Sequence, residues 1–286
     1  MPELPEVETV RRTLLQYLPQ RLFTGAVIDW PQAIAYPSEQ HFVQTLRGQE
    51  IHTLTRRGKY LIFHLDSGAQ LVIHFRMTGS LQLWPQEAPL PRFTRNRLLL
   101  DRDQELRFID VRKFGQLWLV MPGEENHLPY LALGPEPLTA SFTIAYFAEQ
   151  LGRSGRSTKA TLLDQRIVAG LGNIYVDEAL WEAHLHPEAP ANRLTLEEVS
   201  ALHRAVQMVL ERGIANLGTS YRDFVGPCGQ RGLNQEELRV WARTGQPCPR
   251  CGTPIHKLRS AGRGTHICPF CQRYPCTDMS SVQGVP

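Results

Sequence analysis

The chain has 286 residues, enough for about two domains, and its 42% hydrophobic and 21% charged residues exclude a mainly disordered, collagenous or coiled-coil protein. No apolar run approaches the roughly 20 residues of a membrane-spanning helix. The acidic opening Met1-Pro2-Glu3-Leu4-Pro5-Glu6-Val7-Glu8 lacks the basic and apolar regions of a signal peptide, so the expectation is a cytoplasmic protein, and a net charge of +3 leaves any nucleic-acid role to local clustering of charge.

Leu4, Val7, Val10, Leu14 and Leu18 recur at a helical period, with Pro5 suited to a first turn. Over residues 20–121 the pattern turns to strands. Tyr60–Leu65, Gln70–Phe75, Leu81–Trp84, Arg97–Leu100 and Gln116–Val120 are short apolar runs separated by turn residues, which predicts an antiparallel β-sandwich. Leu133-Gly134-Pro135-Glu136-Pro137-Leu138 reads as a hinge, because two prolines and a glycine exclude regular structure. Beyond it the period becomes helical. Ala169-Gly170-Leu171-Gly172-Asn173 separates two helical stretches in a helix-turn-helix-like unit. Thr195 and Glu198 form a capping box ahead of a stripe of Val199, Leu202, Val206, Val209 and Leu210.

All six cysteines follow residue 227, which argues against a disulfide-stapled secreted fold. Cys248, Cys251, Cys268 and Cys271 form C-x2-C-x16-C-x2-C, a spacing that places four thiolates tetrahedrally around one structural Zn2+. Cys228 and Cys276 fall outside the pattern and read as free thiols. Between Arg243 and Arg273 there are six basic residues and no acidic one, so a basic zinc ribbon stands beside a helical turn unit, a combination that points to nucleic acid.

Pro2 carries the least ordinary chemistry. Removal of Met1 before a small second residue exposes a secondary amine, and an α-amino group of pKa about 7.7–8.0 is partly neutral at physiological pH. A neutral amine can attack a sugar C1′ and form an iminium. Glu3 and Glu6 suit a first helical turn, and either is placed to act as a general acid or base beside that amine. On residue type alone, Lys59 between Arg57 and Tyr60 would pass for an exposed loop lysine.

The opening PELPEVETVRR resembles the start of the formamidopyrimidine-DNA glycosylases. The likeness continues in family order through RRGKYL (56–61), HFRMTGSL (74–81), DVRKFG (110–115), LGPEPL (133–138), GLGNIYVDEAL (170–180), GQPCPRCGTPI (245–255) and AGRGTHICPFCQR (261–273). The resemblance implies an α+β fold. An N-terminal antiparallel β-sandwich with an N-terminal helix (1–132) would lead through a hinge and first helix (133–150) to a helix-two-turns-helix domain (151–242) and a C-terminal β-hairpin zinc ribbon (243–286). It implies a monomeric bacterial enzyme of base excision repair acting on duplex DNA, a bifunctional glycosylase/AP lyase that excises oxidised purines through an N-terminal proline Schiff base and cleaves the strand by β,δ-elimination.

By the same resemblance Pro2 is the nucleophile, Glu3 the proton shuttle at the deoxyribose ring oxygen, Glu6 a support for the N-terminal turn, Lys59 an aid to β-elimination, and Arg263 the grip on phosphates beside the lesion. Met77, Arg112 and Phe114 match the trio that fills the gap left by a flipped nucleotide. His74, Lys159 and Asn173 match backbone contacts, with Arg95 and Arg156 as further DNA-binding residues. Two features depart from the pattern. Where the family often carries a DNA-contacting His, this chain reads Pro91-Arg92-Phe93-Thr94-Arg95-Asn96, leaving Arg92 or Arg95 to substitute. The glycine-rich segment 218–234 corresponds to a loop that closes over the flipped base, and Cys228 within it is unexpected. PELPEVET at the start and Arg112-x-Phe114 favour oxidised purines over the pyrimidine preference of endonuclease VIII-like relatives. Pro2, Glu3 and Lys59 together argue against a zinc-ribbon protein that only binds DNA.

Overall fold

The computed structural model describes residues 1–221 and 224–274. Cys276 lies outside them. The chain divides into two compact units, residues 1–136 with 210–237, and residues 137–209 with those from 238 onward. The first division falls between Glu136 and Pro137.

The first unit opens with helix α1 (Leu4–Leu14), which buries Val7, Val10 and Leu14. Strands β1 (Phe23–Ile28) and β2 (Ile34–Tyr36) follow, then helix α2 (Glu39–Leu46), then β3 (Ile51–Arg57), β4 (Tyr60–Leu65), β5 (Gln70–His74), β6 (Gly79–Pro85), β7 (Thr94–Leu100), β8 (Gln104–Asp110) and β9 (Gln116–Val120). They form a four-stranded sheet ordered β1-β7-β8-β6 and a five-stranded sheet ordered β2-β9-β5-β4-β3. One shared core joins both sheets to α1 and α2, with Phe75 stacked on Phe108 at 6.5 Å and Phe23 against Phe63 at 6.3 Å. The sandwich is antiparallel except for the short β2–β9 pair, which is parallel. A smaller apolar cluster of Ile62, Val72, Trp118, Val120 and Leu128 gathers Tyr36, Tyr60 and Tyr130 around it.

Helix α2 interrupts the strand-rich stretch. Ser38 caps it by accepting the His41 N–H at 3.4 Å, and Phe42 and Leu46, four residues apart, bury one face. Strand β8 carries Glu105 and Arg107, both fully buried. Arg107 donates to Glu105 at 2.6 Å and to the carbonyls of Pro85, Ala88 and Pro89, so the buried charge is fully paired.

The second unit holds α3 (Ile144–Gly152), α4 (Thr158–Leu162), α5 (Asn173–Glu182) and most of α6 (Leu196–Ala215), whose last turns belong to the first unit. The Thr195–Glu198 capping box is present, with reciprocal bonds of 2.8 and 3.2 Å. Strands β10 (His256–Ser260) and β11 (Arg263–Ile267) form an antiparallel hairpin across an Ala261–Gly262 turn, between the two cysteine pairs.

Candidate active site and DNA interface

In the first unit, Glu3 is the extended N-cap of α1 and Pro5 occupies its first turn. Glu6 closes a capping box by accepting the Glu3 N–H at 2.8 Å. Its other carboxylate oxygen accepts the Thr219 N–H at 2.7 Å. Pro2, Glu3 and Glu6 are all buried. Burial of two carboxylates at a helix N-terminus is sustained by the orphan backbone N–H groups and the dipole there.

Further along α1, Glu8 accepts bonds from Arg11, Arg12 and Arg56 at 2.7–3.2 Å. Burial alone would raise its pKa, but these guanidiniums hold the carboxyl down to about 2. Arg56 also donates to Glu136 at 2.7 Å and to the Gly58 carbonyl at 3.0 Å, while Glu136 accepts the Gly58 N–H at 2.6 Å. The network fixes the Gly58–Lys59 turn between β3 and β4. Lys59 at its tip is 7% exposed, unlike an ordinary loop lysine.

His74 is equally buried. It pairs in register with Tyr60, whose ring meets it edge-on at 4.6 Å. Burial, reinforced by the charges of Arg76 and Lys59, pushes its pKa down to about 3. The Arg76 N–H donates to Nδ1 at 3.0 Å, so the neutral ring carries its proton on Nε2, as a donor.

Met77, Arg112 and Phe114 are exposed, Met77 by 37% and Phe114 by 50%. The Arg112 guanidinium lies 4.7 Å from the Phe114 ring centroid. Met77 sits in the turn between β5 and β6, where the Gly79 N–H bonds the Phe75 carbonyl at 2.9 Å. A Cβ at Gly79 would stand 2.5 Å from that oxygen, so only glycine fits. Arg95 is half-buried and donates to the Asp110 carbonyl at 2.7 Å. Arg92 lies over the Phe93 ring at 4.6 Å. In the glycine-rich segment, the described part bonds Gly232 N–H to Ser220 Oγ at 2.8 Å, and Cys228 is exposed.

In the second unit, Asn173 is the first residue of α5 and donates to the Gly264 carbonyl at 3.0 Å. Asp177, one turn on, accepts the His266 N–H at 2.9 Å and the Lys159 ammonium at 2.5 Å, and Lys159 also donates to Thr265 at 2.7 Å. The Lys159 side chain is fully buried and ion-paired, and it holds β11 against α5. Glu178 accepts the N–H groups of Arg239, Val240 and Trp241, each at 2.9 Å, anchoring the segment that enters the ribbon. Arg263, the first residue of β11, is exposed. Arg156 is exposed and pairs with Asp164 at 3.0 Å, a carboxylate that Arg166, first, and then Arg156 hold far below its usual range.

The sulfurs of Cys248, Cys251, Cys268 and Cys271 lie within 4.8 Å of one another. The Thr253 hydroxyl lowers the pKa of Cys251 to about 6, while burial and the neighbouring sulfurs raise that of Cys271 to about 12. Thiols crowded so that they compete for negative charge are the donor set that a soft dication satisfies. One structural zinc fits them, with all four positions taken by protein.

Sequence reasoning did not single out Asp110, Asp177, Glu178 or Glu136. Asp110 makes an Asx turn, its Oδ1 accepting the N–H two residues on, a turn for which an Asp at that position is the only local sign in the chain.

A two-sheet sandwich with a buried proline and glutamate at its first helix, joined to a helical unit with a four-sulfur hairpin, is the architecture that the motifs imply. The model of the formamidopyrimidine-DNA glycosylase N-terminal domain matches residues 1–117, that of its H2TH domain residues 133–225, and that of a zinc finger found in FPG and IleRS residues 245–273. A formamidopyrimidine-DNA glycosylase of Bacillus licheniformis is 44% identical over 96% of this chain and 100% of its own length. One from Moorella thermoacetica is 48% identical over 91% and 95%. Among solved structures, Lactococcus lactis Fpg with DNA containing an abasic site superposes with a TM-score of 0.89 at 39% identity, covering 95% of this chain and 99% of that one. MutM in complex with DNA containing carbocyclic 8-oxo-G superposes with a TM-score of 0.88 at 40% identity, covering 95% and 100%. The chain belongs to the formamidopyrimidine-DNA glycosylase family.

Proposed function

We propose that this protein is a monomeric, cytoplasmic DNA glycosylase that excises oxidised purines from duplex DNA and then cleaves the abasic strand as an AP lyase. The observation that carries the reading is the start of α1, where Glu3 and Glu6 are buried beside Pro2 and Glu6 fixes the Glu3 backbone at 2.8 Å. The names of the relatives and the lesion-containing DNA in their complexes support the substrate class.

With Met1 removed, the neutral Pro2 amine forms a bond to C1′ as the C1′–base bond breaks, and the proton the amine gives up goes to the departing base. Glu3 then gives its proton to the deoxyribose ring oxygen as the C1′–O4′ bond breaks and the ring opens to an iminium. Lys59 assists the elimination that follows. His74 offers Nε2–H to a phosphate oxygen, Asn173 lies at a helix N-terminus suited to anions, and Arg263 offers a planar two-point grip that lysine would lack. Zinc bound to the four thiolates supplies rigidity to the ribbon that presents Arg263. Incubation with an 8-oxoguanine duplex and borohydride tests the reading. A covalent protein–DNA adduct is expected, and its absence would refute it.

Zinc removal should abolish lesion binding, because folding of such sites is coupled to the metal. The expected result is a chelated protein that no longer retards the lesion duplex, and recovers on adding Zn2+. Unchanged affinity after chelation would mean that the contacts of α5 to β11 hold Arg263 without the metal.

Arg112 should read the orphaned base. Its donors can pair with O2 and N3 of cytosine, whereas adenine offers fewer acceptors and an amine that opposes the guanidinium. An unpaired buried donor costs about 1–3 kcal/mol, roughly a 5- to 150-fold preference for excision opposite C over A. Arg112→Ala should shrink that ratio, and Phe114→Ala should lower both rates more evenly. Single-turnover rates on the two duplexes measure it, and a ratio untouched in Arg112→Ala would remove this role.

A further inference from the structure

The three exposed side chains of the gap-filling set stand on two separate loops, yet one buried carboxylate holds both. Asp110 is 1% exposed. Its Oδ1 accepts the Thr78 hydroxyl at 2.5 Å and the Arg112 N–H at 3.1 Å, and its Oδ2 accepts the N–H groups of Phe114 and Gly115, each at 2.8 Å. Thr78 stands next to Met77 and closes the triangle, since its Oγ1 also accepts the Arg112 N–H at 3.0 Å. The backbone of Asp110 binds a third loop. Its N–H donates to the Phe93 carbonyl at 3.0 Å and its carbonyl accepts Arg95 Nε at 2.7 Å. Phe93 has a φ of +72°, an unfavourable conformation for an aromatic residue that surrounding bonds must maintain. The fit leaves no slack at Gly115, where a Cβ would meet the Phe108 ring at 2.3 Å and Asp110 Oδ2 at 3.2 Å.

We propose that Asp110 is a positioning residue for lesion recognition, locking the Met77 turn, the Phe93 turn with the start of β7, and the Arg112–Phe114 loop into one rigid unit that enters the DNA together. This rests on the glycosylase reading above. Loops that carry exposed apolar side chains usually sample many conformations, and ordering them on binding costs affinity and precision. A buried carboxylate meeting four donors removes that freedom in advance, and fixes the Arg112 backbone from which its guanidinium must reach the orphaned base.

The test compares single-turnover excision of 8-oxoguanine opposite C and opposite A. Asp110→Asn keeps size and shape but turns an N–H group toward donors that the carboxylate had accepted. It should reduce the C-over-A ratio by roughly 5- to 10-fold, with a lowered melting temperature but a native circular dichroism spectrum at the assay temperature. In an Arg112→Ala background it should reduce the ratio no further, because both changes remove one recognition step. Thr78→Val, which loses one side of the same triangle, should lower the ratio in the same direction and serves if Asp110→Asn folds poorly. A C-over-A ratio unchanged in both variants, or a loss that adds in full to that of Arg112→Ala, would overturn the proposal. If wild-type protein forms no borohydride adduct with the 8-oxoguanine duplex, the glycosylase reading fails and this inference falls with it; an adduct with an unchanged ratio defeats the inference alone.

Discussion

Glu3→Gln should bind a lesion duplex as tightly as the wild type and excise the base about 10²–10⁴ times more slowly, the usual range for a positioned proton donor. The expectation follows from where the carboxyl stands. Glu3 is 2% exposed, its backbone N–H is held by Glu6 at 2.8 Å, and it caps a helix whose Val7, Val10 and Leu14 lie in the core. Glutamine retains an oxygen that can accept a helix N–H, so the capping box and the packing of α1 survive. What disappears is the transferable proton. Arg263→Ala should do the opposite. It removes an exposed guanidinium, so binding should weaken on all duplexes and the log–log salt dependence should flatten by up to about one unit. Gel-shift affinities across a salt series, with single-turnover excision, separate the two. Normal excision by Glu3→Gln would strip Glu3 of its acid/base role.

How far the sequence alone reached depends on how local each signal is. Strands β4, β5 and β9 are apolar along nearly their whole length because core packs on both faces, so their runs stand out from the flanking turns. Strand β8 was not separable from its surroundings, because Glu105 and Arg107 occupy positions that a periodicity argument gives to solvent. Strand β3 alternates His, Thr and Arg with few apolar residues, and its polar end serves Glu8 and Glu136 through Arg56. Helix α2 has only eight residues within a strand-rich stretch, so its period is too short to stand out although Ser38 is a sound cap.

The same division holds for the site. Four cysteines at metal-ligand spacing declare themselves within 24 residues of chain. Asp177 and Glu178 do not, because their partners lie about 60 to 90 positions away. Lys159 was legible only through the family resemblance, and its pairing with Asp177 and Thr265, 18 and 106 positions away, has no local signal in the chain.

Protein that keeps Met1 should form no adduct with lesion DNA. In the unprocessed chain the Pro2 nitrogen is a tertiary amide, whose lone pair is delocalised into the carbonyl, and it cannot attack C1′. After processing it is a secondary amine with an ordinary pKa of about 7.7–8.0, neutral often enough near pH 7.5 to react. The surroundings sharpen the requirement, because Pro2 is buried and Glu3 is held in place by Glu6. Inserting a lysine between Met1 and Pro2 blocks removal of the methionine while leaving α1 and its capping box intact. That variant should melt like the wild type and bind the lesion duplex, yet lose borohydride trapping completely. For processed protein, the rate of adduct formation at an abasic site should rise with pH through the amine's titration and level off above it. Intact-mass spectrometry of the trapped species decides the matter, since every adduct should carry a chain that begins at Pro2. An adduct whose mass includes Met1 would place the nucleophile elsewhere, and Lys59, buried at the β3–β4 turn, would then be the first amine to test.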